Sequence, residues 1–295
     1  MADHQNGATP ICVSDCRSLL GEGPVWVERE DALYWVDIKG GLLLRLDIGS
    51  GATTQWTPPV PICSLAPRQG GGFVAATYRG FAFFDPEKGS FEFLGEVEPD
   101  LPGNRFNDGK ADRRGRFWAG TMDDSETQAS GALYRLDPDL RVHRHDEGYR
   151  VTNGPAFSGD GRILYHTDSA RQIVYAFDLD DRGEPGERRV LARFGEGDGY
   201  PDGMTVDAQG CLWIAFWDGW CVRRLSPGGD VMATIALPVQ RPTSCAFGGE
   251  GLDRLFVTSA RIGLSAEDLA GQPQAGGLFS WKPGATGLAD MPFQG

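Results

Sequence analysis

Six times along this chain a short strand-like run recurs, reading ALYWVDI, GFVAAT, RFWAGT, ILYHTD, CLWIAF and RLFVTS. The centres of these runs, Trp35, Val74, Trp118, Tyr165, Trp213 and Phe256, lie 39, 44, 47, 48 and 43 residues apart. Aromatic and β-branched runs bounded by Gly, Pro and Asp read as strands. A period of roughly 40–50 residues in an all-strand chain is that of a propeller blade with four strands. A single blade cannot bury both of its faces, so the units must pack on one another around a ring.

The rest of each repeat fits this expectation. A third strand follows the second, as in LLLRLDI, FAFFDP, ALYRLDP, IVYAFDL, CVRRLSP and GLFSWKP, most of them ending in Asp-Pro, Ser-Pro or Gly where a turn is required. A more polar edge strand comes next, such as TTQWT or FEFLG. The expected architecture is all-β: a six-bladed β-propeller with four antiparallel strands per blade. ICVSD, residues 11–15, has no unit of its own and is expected to pair into the last blade, closing the ring. Residues 11–295 then form a single propeller domain behind a flexible tail over 1–10. The recurring Gly-His and Trp-Asp signature of WD40 repeats is missing.

Composition narrows the partners. A chain of 295 residues can bury roughly three quarters of its unfolded surface, so its core needs no covalent staples. With 28 basic against 41 acidic residues the formal charge is −13. No Lys/Arg cluster offsets it, which speaks against nucleic acid and anionic membranes as partners. The start, MADHQNGATP, lacks the basic and apolar segments of a signal peptide. The run from Cys211 to Trp217 is far too short for a membrane span. Six cysteines without CxxC pairing read as reduced thiols. A cytoplasmic protein, monomeric or weakly dimeric, is expected.

In a propeller the first strand of each blade lines the central channel, so residues opening those strands converge at one mouth despite their separation in sequence. Counting back from each second-strand centre, these positions hold Glu22 in GEGP, Asn107 and Asp108 in NDGK, Asn153 in NGPA, Asp202 in PDGM and Ser244. Asn-Gly and Asp-Gly are also ordinary turn dipeptides, in which Gly supplies a positive φ. The common offset, and Glu22 in a place where turn chemistry has no use for it, favour a shared site. Carboxylate and amide oxygens suit Ca²⁺, Mg²⁺ or Mn²⁺, with Fe²⁺ or Zn²⁺ compatible, and calcium is the leading expectation. Only four histidines occur and none lies in these segments, against a His-rich zinc site. Arg105, just before Asn107, could hydrogen-bond sugar hydroxyls or a developing oxyanion.

At these residues the chain resembles the SMP-30/gluconolactonase family, which includes regucalcin and bacterial sugar-acid lactonases. The resemblance is carried by LGEGPVW (20–26), NRFNDGKAD (104–112), FWAGTM (117–122), VTNGPAFS (151–158), YPDGMTVDAQGCLW (200–213) and TSCAFGG (243–249), with DLAGQPQAGGLF (268–279) matching the closing blade. It implies a six-bladed propeller with one divalent metal in the channel, held by Glu22, Asn153 and Asp202. It also implies Asp202 as general base and Arg105 and Asn107 as substrate contacts. Regucalcin-like members carry a substrate-contacting Glu after GTM; here that position is Ser125, and Asp124 or Glu126 is expected to take its place.

The expected activity is hydrolysis of an aldonolactone, such as a glucono-, xylono-, galactono- or arabinonolactone, to the aldonic acid. In this scheme the metal polarises the carbonyl and Asp202 accepts a proton from water. No GxSxG nucleophile elbow occurs. Two other expectations remain open: a non-catalytic calcium-binding scaffold or regulator, and a hydrolase of other esters or phosphotriesters on the same fold.

Overall fold

The aromatic run at the centre of each repeat becomes the second strand of a blade. In the structure, a computed structural model that describes residues 9–295, these strands span Ala32–Asp37, Phe73–Thr77, Phe117–Asp123, Ile163–Asp168, Leu212–Trp217 and Arg254–Ser259. Their six centres are all buried, because each second strand is covered on both faces by neighbouring blades. The result is six four-stranded antiparallel sheets arranged as a six-bladed propeller.

The innermost strands are Gly21–Val27, Ile62–Pro67, Asn104–Ala111, Thr152–Phe157, Tyr200–Val206 and Pro242–Gly248. Outer edge strands such as Thr53–Trp56 and Val231–Ala236 are mostly exposed; the first is polar as expected, but the second is apolar and leaves Val231 and Met232 exposed. Ile11–Ser14 pairs antiparallel with Leu278–Trp281, with Ile11 opposite Ser280. The last blade is therefore built from both chain regions, and the ring closes through hydrogen bonds as expected. Of the tail expected over 1–10, residues 1–8 lie outside the described residues, and Pro10 is already buried.

Every inner strand breaks register with its neighbour, and the breaks fall where the candidate residues sit. The shifts lie between Glu22 and Val25, Ile62 and Ser64, Phe106 and Gly109, Asn153 and Ala156, Pro201 and Met204, and Pro242 and Cys245. This corrects the turn reading: PDG, NDG and NGP are bulges inside strands, not turns before them. A bulge kinks its strand and re-aims a side chain that the pleat would otherwise direct into the blade interface. Gly203 does not have positive φ; a Cβ there would collide with the Ser244 side chain of the next blade. Gly154, at φ +69°, does occupy the left-handed region.

Beyond the last strand, the C-terminal segment crosses the far end of the channel. Phe293 is fully buried; its N–H donates to Pro67 O (2.8 Å) and its carbonyl accepts from Gln69 N (2.9 Å). Asp290 and Met291 line a small cavity of about 20 Å³ below the inner strands, and Asp290 pairs with Lys110 at 3.5 Å. The C-terminal segment thereby packs against the inner strands at the end away from the mouth. One short α-helix occurs among the described residues, Ala266–Gly271, started by a reciprocal capping box between Ser265 and Asp268. No helix among them is long and apolar enough to cross a membrane. All six cysteines are free.

Candidate functional site

The open mouth holds a cavity of about 620 Å³. Glu22, Arg105, Asn107, Asp124, Glu126, Asn153 and Asp202 line it, whereas Asp108 and Ser244, also expected at this mouth, line the small cavity beside Asp290 and Met291 instead, because the pleat and bulge turn them the other way along the channel. The mouth residues come from three inner strands plus the Asn104–Ala111 blade and its loop at 124–126. Bulges at Glu22, Asn107, Asn153 and Asp202 bring them to the channel axis.

A line of hydrogen bonds fixes the amides. Arg105 Nη1 donates to Asn107 Oδ1 (2.7 Å). Asn107 Nδ2 donates to Thr152 O (2.7 Å) and to Asn153 Oδ1 (3.0 Å). Asn153 Nδ2 donates to Ser169 Oγ (2.8 Å), which in turn donates to Pro201 O (2.6 Å). Asn153 is thus held with one Oδ1 lone pair accepting and a second left over. Both amide hydrogens of Asn107 are used, so it can meet a ligand only as an acceptor.

The carboxylates are handled differently. Asp202 Oδ1 is buried with no hydrogen-bond partner. Glu22, also buried, accepts only the N–H of its own neighbour Gly23 (3.2 Å). Burial raises both pKa values well above the usual carboxylate range, and repulsion adds to it: Asp108 acts on Glu22, while Glu22 and then Asp108 act on Asp202. Burial pushes Asp108 up to about 7. Three buried acids thus act on one another; Lys110 eases Asp108 and Arg105 eases Glu22, but neither outweighs burial, so the cluster favours a bound proton or cation.

The donor set fits a hard divalent cation. Glu22 and Asp202 supply carboxylate oxygens, and Asn153 supplies an oriented amide oxygen. Among the described residues no group of three or more His, Cys, Asp or Glu is disposed to hold a metal; the Asn153 amide is the further oxygen beside the two carboxylates. All-oxygen coordination favours Ca²⁺, Mg²⁺ or Mn²⁺ over thiophilic ions.

Arg105 is not a loose rim residue. It is buried, and its Nε pairs with Asp124, which also takes Lys39 Nζ at 2.6 Å. Burial pushes the Asp124 carboxyl up, but the bonds from Lys39 and Arg105 outweigh this and hold it below the usual range. Ser125 turns its hydroxyl to Asp123 Oδ2 (2.7 Å). Of the three residues considered for the family's acidic contact, only Glu126 lines the cavity with its side-chain carboxylate in no ion pair or hydrogen bond among the described residues.

The sequence reading did not single out Lys39, Arg150, Ser169, Tyr200, Trp217 and Arg241, which also line this mouth. Lys39, Arg150, Ser169 and Arg241 lie in loops joining second to third strands and fourth to next first strands, while Tyr200 opens an inner strand and Trp217 ends a second strand at the edge of such loops. Blade topology places those loops at the same end as the Glu22 bulge, so strand counting alone could have identified them.

The protein-family model described as "SMP-30/Gluconolactonase/LRE-like region" matches residues 20–261. The chain is 41% identical over 285 residues to a 6-deoxy-6-sulfogluconolactonase of Pseudomonas putida, covering 96% of this chain and 98% of that protein. It is 39% identical over 292 residues to a regucalcin of Gallus gallus, covering 96% and 98%. Among solved structures, a calcium-binding protein, regucalcin, from Agrobacterium tumefaciens matches with a TM-score of 0.93 at 29% identity, covering 98% of each chain.

Proposed function

The chain belongs to the SMP-30/gluconolactonase/LRE-like family, and from that premise we propose that it is a metal-dependent lactonase opening sugar lactones to aldonic acids at the channel mouth. The name of the Pseudomonas putida relative supports a lactone of the six-carbon aldonic series. The observation that carries the metal-dependent reading is the buried, unpartnered Asp202 Oδ1 beside Glu22 and the oriented Asn153 amide.

Glu22, Asn153 and Asp202 would hold the cation. When bound, a divalent cation supplies Lewis acidity toward a carbonyl oxygen and favours ionised carboxylates around it. The remaining chemistry belongs to the chain. Asp202 accepts a proton from the water whose oxygen bonds to the lactone carbonyl carbon. The ring C–O bond then breaks, and the same proton passes from Asp202 to the departing ring oxygen, leaving an acid and a hydroxyl. Arg105, locked by Asp124 and Asn107, orients substrate hydroxyls with the donor capacity left on its guanidinium. Asn107 accepts one hydroxyl at Oδ1 and braces Asn153.

The test is a panel of glucono, galactono, xylono and arabinono lactones, assayed after chelation and after return of single cations. Turnover above the spontaneous rate that is lost on chelation and restored by one ion is the expected result. Chelator-insensitive turnover refutes the metal's role. A second reading, a calcium-binding propeller without turnover, is favoured by the description of the Agrobacterium tumefaciens structure as a calcium-binding protein. Calcium binding with no lactone hydrolysed above background selects it.

A further inference from the structure

The charge balance of the mouth differs from that of the rest of the chain. The cavity lining holds four basic side chains, Lys39, Arg105, Arg150 and Arg241, and four acidic ones, whereas the whole chain has 28 against 41. Most of these cations are already matched. Lys39 and Arg105 share Asp124, and Arg241 pairs with Asp218 at 2.7 Å while stacking on Trp217 at 4.6 Å.

Arg150 differs. It makes no ion pair among the described residues, although Glu126 lines the same cavity and Asp168 accepts its backbone N–H. Its Nε donates to the backbone carbonyl of Glu126 at 2.8 Å. That bond anchors the guanidinium and leaves both terminal nitrogens without an acceptor. Arg68, Arg113 and Arg114 are also held by backbone carbonyls without an ion pair among the described residues, but Arg150 is the one of these four that lines this cavity. An anchored guanidinium with two parallel donors matches the oxygens of a carboxylate, sulfonate or phosphate.

Its position suits the far end of a bound lactone. Arg150 precedes Asn153 by three residues, so their Cα atoms are at most about 10 Å apart along an extended chain. Arg150, Asn153 and Asp202 line one cavity, so a six-carbon lactone with its carbonyl by Asn153 and Asp202 has Arg150 on the wall of the same cavity.

Resting on the lactonase reading, we propose that Arg150 is a specificity residue that recognises an anionic group on the terminal carbon of the lactone, opposite the carbonyl end. The substrate class is then an acidic sugar lactone, and a neutral aldonolactone is the poorer substrate.

The experiment compares D-gluconolactone with lactones bearing a terminal sulfonate, phosphate or carboxylate, using the wild-type chain, Arg150→Gln and Arg150→Lys. For at least one charged lactone, wild-type kcat/KM should exceed that for the neutral one by about 10-fold, mostly through KM, as for one charge-assisted bidentate contact. Added salt should shrink the excess. Arg150→Gln should erase the ratio and Arg150→Lys should keep part of it; the three anions separate the possible head groups. Equal kcat/KM for neutral and charged lactones in the wild type, or an excess that survives Arg150→Gln, overturns the proposal while leaving the lactonase reading standing. Calorimetric binding of the matching aldonates with and without the terminal anion gives the same comparison without turnover: an affinity difference lost in Arg150→Gln supports the proposal, and equal affinities overturn it.

Discussion

Asp202 and Asp207 stand at opposite ends of one inner strand, Tyr200–Val206, and both are buried. Asp207 is saturated. Its Oδ1 accepts Gln209 N and Cys211 N at 2.9 Å each, and its Oδ2 accepts Trp213 Nε1 (2.9 Å), Arg224 Nε (2.9 Å) and Arg224 Nη2 (2.6 Å). Asp202, at the mouth, has an oxygen that nothing in the protein satisfies. Asp112 repeats the Asp207 pattern one blade pair earlier, accepting Arg114 N, Arg116 Nε and Trp118 Nε1. Burial and residue type are the same in all three, so neither identifies a site. The number of donors left for something from outside does. The base carboxylates hold a turn to a tryptophan and an arginine, and the mouth carboxylates are arranged for a guest.

Exchanging one oxygen for an amide at each end breaks this comparison in opposite ways. Asp202→Asn removes the proposed base and one proposed ligand of the cation, so kcat should fall by about 10²–10⁴-fold, the usual range for a lost general base. Initial rates on gluconolactone at saturating cation measure it, and wild-type rates in the variant would remove Asp202 from the chemistry.

Asp207→Asn should spare the chemistry and harm the fold. It leaves Arg224 facing a neutral group and swaps an acceptor for a donor against Trp213 Nε1. Breaking a buried, hydrogen-bonded pair costs about 3–5 kcal/mol. Urea unfolding checks this, with kcat/KM per folded molecule within about twofold of wild type. A loss of stability below about 1 kcal/mol would mean that the five donors around Asp207 re-form on other acceptors.

The same contrast explains what was legible in the sequence. Trp35, Trp118 and Trp213 recur because the second strand of a blade is covered on both faces, so its pattern is set by packing and is visible at a fixed period. Closure by Ile11–Ser14 followed from a strand left over in the count. The convergence of Glu22, Asn153 and Asp202 was also readable, because the offset from those buried centres is set by blade length. The bulges were not: Pro-Asp-Gly has the same composition in a turn as in a kinked strand, and only the register with Phe216 and Ile214 separates the two. Arg150 and Lys39 carry no periodic signal, since loop residues answer to the ligand and not to the core. The C-terminal segment around Phe293 has no repeat to betray it, and its place depends on partners such as Pro67 that are more than two hundred residues away.

The smallest expected effect is on metal-free stability, and its sign is the sharpest form of the comparison. Glu22 and Asp202 have raised pKa values in the fold, because burial disfavours their charged forms and repulsion adds to it, from Asp108 on Glu22 and from Glu22 and Asp108 on Asp202. Above about pH 4, where the unfolded chain has released these protons, the folded chain still holds them. The stability they contribute is therefore fully present at low pH and is lost as pH rises through the folded-state values. In chelator, the double variant Glu22→Gln/Asp202→Asn should gain on wild type in Tm as pH increases from 4 to 8, by about 2 °C for each kcal/mol of repulsion removed. Taking the difference between the two proteins cancels the titration of every other group. Returning calcium should reverse the order, stabilising wild type by mass action and leaving the variant unmoved. Asp207→Asn lies on the other side of zero, destabilising with or without the ion. A double variant that is less stable than wild type in chelator at pH 8 would place the mouth carboxylates in the same structural role as Asp207, and the site would lose its cation.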